Sequence, residues 1–289
     1  MIGIGTSSGA ITIVNALFTG LGAAAAVSLP VEARVELTER PVDELGAVTI
    51  DPPSASPLAR ESIVEGLRRF APDRAFDARL SVRSSIPPSR GLKSSSAIAT
   101  AVLSAVARAL GAAPPTGQLA TYAADVGERV GLSATGAFDD ALASIGGGAV
   151  VTENRERRLV RRIDPDPDSS VLLWIPRATH RPSPTWAPAF ARKAAPGRAA
   201  ADLARRGEFL PAILRNTELV EEVMGYADYR ALREELRRQG ARGAGVSGMG
   251  PTLAVIAPAD RIARLRGVLP PSPGEALTVD FRPAIEVEA

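Results

Sequence analysis

Residues 86–97 read IPPSRGLKSSSA, and the fold turns on how that stretch is read. Pro87 and Pro88 stiffen the approach, Gly91 permits a tight turn, and Ser94, Ser95 and Ser96 follow in a row. From there to Leu110 the chain is mostly small and apolar, with no glycine or proline. That spacing predicts a helix whose start holds the serines. Serine is favoured as a helix N-cap because its hydroxyl satisfies backbone N–H groups left free in the first turn. Those N–H groups and the helix dipole attract anions, so a strand, a Gly/Ser loop and a helix start can together cradle phosphate. The same stretch also reads as an ordinary capped helix after a proline turn. A Walker A loop is excluded, because Leu92 separates Gly91 from Lys93 and Ile86 stands where the first glycine would be.

Around this loop the chain alternates strand and helix patterns. Ala75–Ile86 alternates as a strand feeding the loop, and helices are predicted at 58–70, 94–110, 116–130 and 137–145. Residues 2–17 begin extended around a Ser7-Ser8-Gly9 turn, and 23–38 form a strand with Val31, Ala33, Val35 and Leu37 on one face. Residues 39–56 read as a loop with a short strand near 48–50. Strands at 149–152 and 159–163 form a hairpin, and the acidic, proline-rich Asp164–Asp168 marks the expected boundary between domains 1–164 and 165–289. Beyond it come a strand at 170–175, a proline-rich excursion or lid at 176–198, helices at 199–206, 208–224 and 228–239, a strand leading into 243–252, another at 253–256, a helix at 259–269 and a strand at 276–281. Two such mixtures predict two α+β units.

Composition narrows the function. The chain has 289 residues, enough for one large or two modest domains. A formal charge of +2 gives no argument for nucleic acid. Cysteine is absent, which excludes disulfides and thiolate metal sites. Lys93 and Lys193 are the only lysines, so a lysine inside the loop carries weight. The basic run Arg155–Arg162 reads as a solvated hairpin. The apolar residues 9–29 lack a preceding basic residue and are interrupted by Asn15 and Thr19, so they do not read as a signal peptide. No apolar run is long enough to span a bilayer, and a cytoplasmic location is expected.

Three further segments carry chemistry. Residues 135–144 read TGAFDDALAS, two adjacent acids in an apolar helix start, where an unpaired carboxylate costs several kcal/mol to bury. Their plain reading is a pair of acids favoured by the helix dipole. Residues 244–256, AGVSGMGPTLAVI, place Gly245, Ser247, Gly248 and Gly250 between two strands, where small residues let backbone N–H groups approach a ligand or close a tight turn. Residues 8–20, SGAITIVNALFTG, set Asn15 in an apolar strand, where it must find hydrogen-bond partners.

The 86–97 stretch resembles the phosphate loop of the GHMP kinases, with Lys93 in place of the usual small residue, and Ser89–Ala97 is most similar to the archaeal-type shikimate kinase branch. The other three segments match that family's motifs in order and spacing. The resemblance implies a two-domain α+β fold, with an amino-terminal domain like one of a small ribosomal-subunit protein and a ferredoxin-like carboxy-terminal domain. It implies that Pro88, Ser89, Arg90, Gly91, Leu92, Lys93, Ser94, Ser95 and Ser96 hold ATP, and that Ser95 and Glu128 hold Mg²⁺. Asp139 matches the catalytic base, although a one-residue slip would exchange it with Asp140, and either Lys93 or an arginine is its cationic helper, or the acid works without one. Relatives carry a lysine near the amino terminus that pairs with the acid, and this chain has none before Lys93.

Thr12, Asn15, Asp140, Ser247, Gly248 and Arg181 are the expected acceptor contacts, with Arg177 and Arg90 as further candidates for a carboxylate. His180 reads as an exposed loop residue. The implied reaction is phosphorylation of the 3-hydroxyl of shikimate. A homoserine or mevalonate type of kinase and a non-catalytic sensor of the same fold are the alternatives. Partners are then ATP and the small-molecule acceptor, with a homodimer allowed and neither nucleic acid nor a membrane expected.

Overall fold

The computed structural model describes residues 1–41, 48–51, 57–177, 185–271 and 274–285. In chain order the first half holds β1 (Ile2–Val14), β2 (Leu21–Arg40), β3 (Val48–Asp51), α1 (Pro57–Phe70), β4 (Ala75–Ser84), α2 (Ser94–Ala109), α3 (Thr116–Arg129), α4 (Phe138–Gly146), β5 (Ala149–Glu153) and β6 (Arg158–Ile163). The second half holds β7 (Ser169–Pro176), α5 (Trp186–Ala191), α6 (Ala194–Arg206), α7 (Phe209–Met224), α8 (Tyr229–Arg238), β8 (Gly243–Val246), β9 (Leu253–Pro258), α9 (Ile262–Arg266) and β10 (Gly274–Asp280). Among the described residues no helix is long and apolar enough to cross a membrane.

Strand β2 is the spine of the first sheet. One edge pairs with β1 along most of its length, and the other takes β5 in its first part and β4 in its second. Val31, Ala33, Val35 and Leu37 are buried in alternation, as the period-2 pattern requires. Ala23–Val27 is buried at every residue, because α2 and α4 pack on β2 and α6 and β10 reach it as well. Alanine suits a strand with helices packed closely on it. Gly3 and Gly5 serve the same packing: a Cβ on either would come within 2.0 Å of an α2 carbonyl oxygen.

The second sheet runs β10-β7-β9-β8, all antiparallel. With α5–α8 between its first two strands and α9 before the last, it is the ferredoxin-like β-α-β-β-α-β arrangement. One apolar cluster includes Ile11 and Ala25 of the first sheet together with Val171, Leu173 and Ile256 of the second.

Several local expectations are corrected. The turn expected at Ser7–Gly9 is a register shift inside a continuous strand, so β1 runs unbroken through it. The 176–198 excursion contains α5, and α6 begins at Ala194 instead of 199. Alternating buried positions in α6 (Gly197, Ala200, Ala201, Ala204) are small residues, which carry little hydrophobic signal in a sequence. The 155–162 hairpin is not wholly solvated. Arg157 turns inward with its side chain 15% exposed, held by Asp125 and Glu128.

Candidate active site

The loop before α2 is wound by backbone hand. Ser89, Gly91 and Lys93 have φ of 57°, 79° and 65°, and each stands between residues of negative φ. Alternation of this kind turns successive N–H groups toward one concavity, a frequent anion site. Leu92 is buried and its carbonyl accepts the Ala10 N–H at 3.3 Å, which anchors the loop to β1. The expected serine cap is not made. Lys93 occupies the N-cap in the left-handed region with no side-chain cap, and Ser94–Ser96 lie within the first turn. A non-glycine residue held there stores of order 1–3 kcal/mol of strain. The N–H groups of that first turn lack intrahelical acceptors, as at any helix start, and adjoin the loop.

The Lys93 side chain spans the site. Its Nζ lies 3.1 Å from Asp140 Oδ1, and both side chains are 13% exposed. A Cβ on Gly248 would sit 3.5 Å from the same Nζ and 3.4 Å from Gly91 Cα. The 247–250 turn therefore closes directly on the phosphate loop. Ser247 Oγ donates to the Gly91 carbonyl at 2.7 Å and accepts from the Thr12 N–H at 3.2 Å, while the Gly248 N–H donates to Thr12 Oγ1 at 2.8 Å. Asn15 sits just past β1 and finds the partners its burial demands. Its Nδ2 donates to the Gly248 carbonyl at 3.2 Å, its Oδ1 accepts the Leu17 N–H, and its own N–H donates to Asn216 Oδ1 at 2.8 Å.

The two acids at the head of α4 face different neighbours. Asp140 faces Lys93. Asp139 is clasped by Asn154, whose Nδ2 donates to Asp139 Oδ1 at 2.8 Å and whose Oδ1 accepts the Asp139 N–H at 3.1 Å. Thr152 Oγ1 donates to Asn154 Oδ1 at 2.6 Å and fixes which way that amide points. The Asp139 carboxyl lies flat on Gly22 of β2, where a Cβ would come within 2.5 Å of it. Burial pushes both carboxyls above the usual range; the Asp140 charge raises Asp139 further, and the Lys93 ammonium opposes the rise at both.

Of the other expected residues, Ser95 is exposed in the first turn of α2. Glu128 is also exposed, and its Oε2 accepts from Arg157 Nη2 at 2.7 Å. Among the described residues no cluster of three or more His, Asp or Glu side chains is placed to hold a metal. A hydroxyl and one carboxylate are nonetheless the hard oxygen donors that Mg²⁺ takes alongside phosphate oxygens. Arg90 reaches the Arg177 carbonyl at 2.8 Å, which ties the phosphate loop to the end of β7. Arg181 and His180 lie outside the described residues.

Asn154, Thr152, Gly22, Asn216 and Arg157 were not singled out from sequence. Asn154 alone had a signal, a polar side chain closing an apolar strand, which must be satisfied if buried.

Comparison with known proteins identifies the fold and the family. Residues 59–148 match the GHMP kinases N terminal domain. Solved structures of the same fold include a mevalonate kinase (TM-score 0.75, 14% identity, 97% of this chain and 99% of that one) and a phosphotransferase related to the CoA biosynthesis pathway (TM-score 0.76, 15% identity, 98% and 97%). Fold and converging loops thus define a GHMP kinase. Shikimate kinase of Pyrococcus furiosus is 32% identical over 259 residues, covering 89% of this chain and 92% of that protein. Shikimate kinase of Methanosarcina acetivorans is 34% identical over 258 residues, covering 89% and 86%. The chain belongs to the archaeal shikimate kinase family, whose members are ATP-dependent kinases of a small molecule.

Proposed function

We propose that this chain transfers the γ-phosphoryl group of ATP to the 3-hydroxyl of shikimate. The observation that carries the chemistry is Lys93, which begins the phosphate-loop helix and reaches the acid pair of α4. One cation so placed serves both ends of a phosphoryl transfer, where positioning and charge neutralisation supply most of the catalysis. The choice of acceptor rests on the relatives, which are named shikimate kinase.

In this reading the triphosphate lies on the 88–96 loop and the first-turn N–H groups of α2. Ser95 and Glu128 would hold Mg²⁺ beside the phosphates, where it would supply further neutralisation of phosphate charge. Asp139 takes the proton of the acceptor hydroxyl. Its raised proton affinity suits a base working near neutral pH, and Asn154 orients it. Asp140 holds the Lys93 ammonium in place, and that ammonium opposes the rise that burial imposes on its carboxyl. Thr12, Asn15, Ser247 and Gly248 close the other wall of the site. We assign 1–164 and 165–289 as the two domains and place the reaction in the cytoplasm.

A coupled ADP-release assay with shikimate, homoserine and mevalonate tests the acceptor. Turnover of shikimate alone is expected, and turnover of homoserine or mevalonate without shikimate would refute the assignment. Asp139→Asn is expected to lower kcat by roughly 10²–10⁴-fold with the KM for ATP little changed. Near-normal turnover by that variant, with collapse in Asp140→Asn, would exchange the two roles.

A further inference from the structure

Beside the acid pair lies a cleft of about 770 Å³ that none of the expected acceptor residues lines. Its walls are the 16–21 turn between β1 and β2, Ala134 and Thr135 ahead of α4, the start of the β5–β6 hairpin, and one face of α5 and α6. On α6 that face is Ala194, Arg198, Ala201 and Arg205, spaced as one side of a helix. The cleft falls within the size range of small-molecule sites.

Its charges are not all spent within the protein. Arg205 crosses to Glu153, with Nη2 3.3 Å from Oε1, and Glu153 also takes Arg158. That bridge ties α6 to the hairpin. Arg198 stands two turns earlier on the same face, between Ala194 and Ala201, and is exposed. Arg155 reaches the cleft from the opposite wall, with Glu156 next to it. Among the described residues neither Arg155 nor Arg198 has an acidic partner, whereas Arg205 and Arg158 on the same walls are both paired with Glu153. Two unpaired guanidinium groups facing one cleft favour a small carboxylate, which arginine grips through two parallel N–H bonds.

The cleft is one residue from the acid pair. Thr135 lines it, and Thr135 Oγ1 accepts from Asn154 Nδ2 at 3.4 Å, the same amide that holds Asp139. Along β2, Gly20 and Leu21 line the cleft and Gly22 carries the Asp139 carboxyl. Neither acid lines the cleft itself, so an acceptor there would reach toward Asp139 past Thr135 and the Asn154 amide at one end and meet α6 at the other.

We infer that Arg198, assisted by Arg155, binds the carboxylate of the acceptor in this cleft and selects acidic acceptors over neutral ones. This rests on the shikimate reading above and replaces Arg90, Arg177 and Arg181 in that role. Both arginines are exposed, so their loss should leave the fold intact.

The test compares shikimate with its methyl ester, which keeps the ring hydroxyls and removes the charge. In the wild-type chain kcat/KM should be about 10–100-fold higher for shikimate, the range expected for hydrogen bonds to a charged group. Arg198→Gln should raise the KM for shikimate by a similar factor, leave the KM for ATP within about twofold, and abolish the preference for the acid. Arg198→Lys should restore part of it. The inference is overturned if the wild type uses the ester as well as the acid, a result that needs no variant. It is equally overturned if Arg198→Gln and the Arg155→Gln/Arg198→Gln double variant keep the full preference; shikimate turnover then stands and only the binding residue is wrong. Absence of any shikimate turnover by the wild type would remove both readings together.

Discussion

Asp139 and Asp140 are adjacent in sequence, yet one meets an amide and a glycine while the other meets an ammonium. Burial of Asp139 has a cost that shows in stability. Its folded proton affinity is raised above the unfolded value, so the folded state binds the proton more tightly. Its stabilising contribution is fully present below the unfolded pKa of about 3.9 and is lost as pH rises through the folded pKa. Asp139→Asn removes that slope. The Asn154 amide can still donate to the new side chain's oxygen, so the variant should melt above the wild type at pH 8 and converge with it near pH 4, measured by thermal denaturation across pH. Glu128 gives a second prediction. If it helps hold Mg²⁺, Glu128→Gln should raise the metal concentration for half-maximal velocity by about tenfold, within the range for lost metal contacts. An unchanged metal requirement would leave Glu128 as a structural partner of Arg157. The acid pair was legible in the sequence because two carboxylates in an apolar run are costly. The clasp was not, because Asn154 and Thr152 come from a strand whose register only the sheet decides.

Helices α1 and α3 are joined by a buried carboxylate. The Glu65 side chain is inaccessible, with Arg68 at 2.8 Å, Arg69 at 2.7 Å and Arg129 of α3 at 3.0 Å. Burial pushes its pKa up, but the three arginines outweigh burial and hold it at about 2. A depressed carboxylate stabilises above its unfolded pKa and loses that effect as pH falls toward the folded one. Glu65→Gln should therefore lower stability by about 1–3 kcal/mol at pH 7, discounted because the arginines are partly exposed, and the gap should close near pH 2. Urea titrations at several pH values measure it; a gap that persists at pH 2 would show that packing dominates. Element placement was largely readable, since the helices at 58–70, 94–110 and 116–130 have clear apolar spacing and proline or glycine limits. Helix α6 was read short because alanines carry little amphipathic contrast, and the Ser-Ser-Gly turn became part of β1 because β2 offers a continuous partner.

Across the whole molecule, a turn between β8 and β9 of the second sheet completes a site built on the first. Gly91 is where they meet, with its φ of 79° and the Ser247 carbonyl oxygen 2.2 Å from the position a Cβ would take. Gly91→Ala adds strain at a left-handed residue and drives a methyl group into backbone. It should lower Tm by several degrees and raise the KM for ATP at least tenfold; a variant with unaltered melting and kinetics would show that the contact is not formed in solution. The sequence by itself determined the alternating strands, the glycine and serine loops and the acid pair, because these depend on local periodicity, backbone freedom and the cost of burying charge. Only the tertiary structure decided that Lys93 faces Asp140, that Asn154 holds Asp139 and that Arg198 opens onto a cleft. The two pairings join residues 47 and 15 positions apart, and their partners are selected by sheet register and helix packing, which no local spacing encodes.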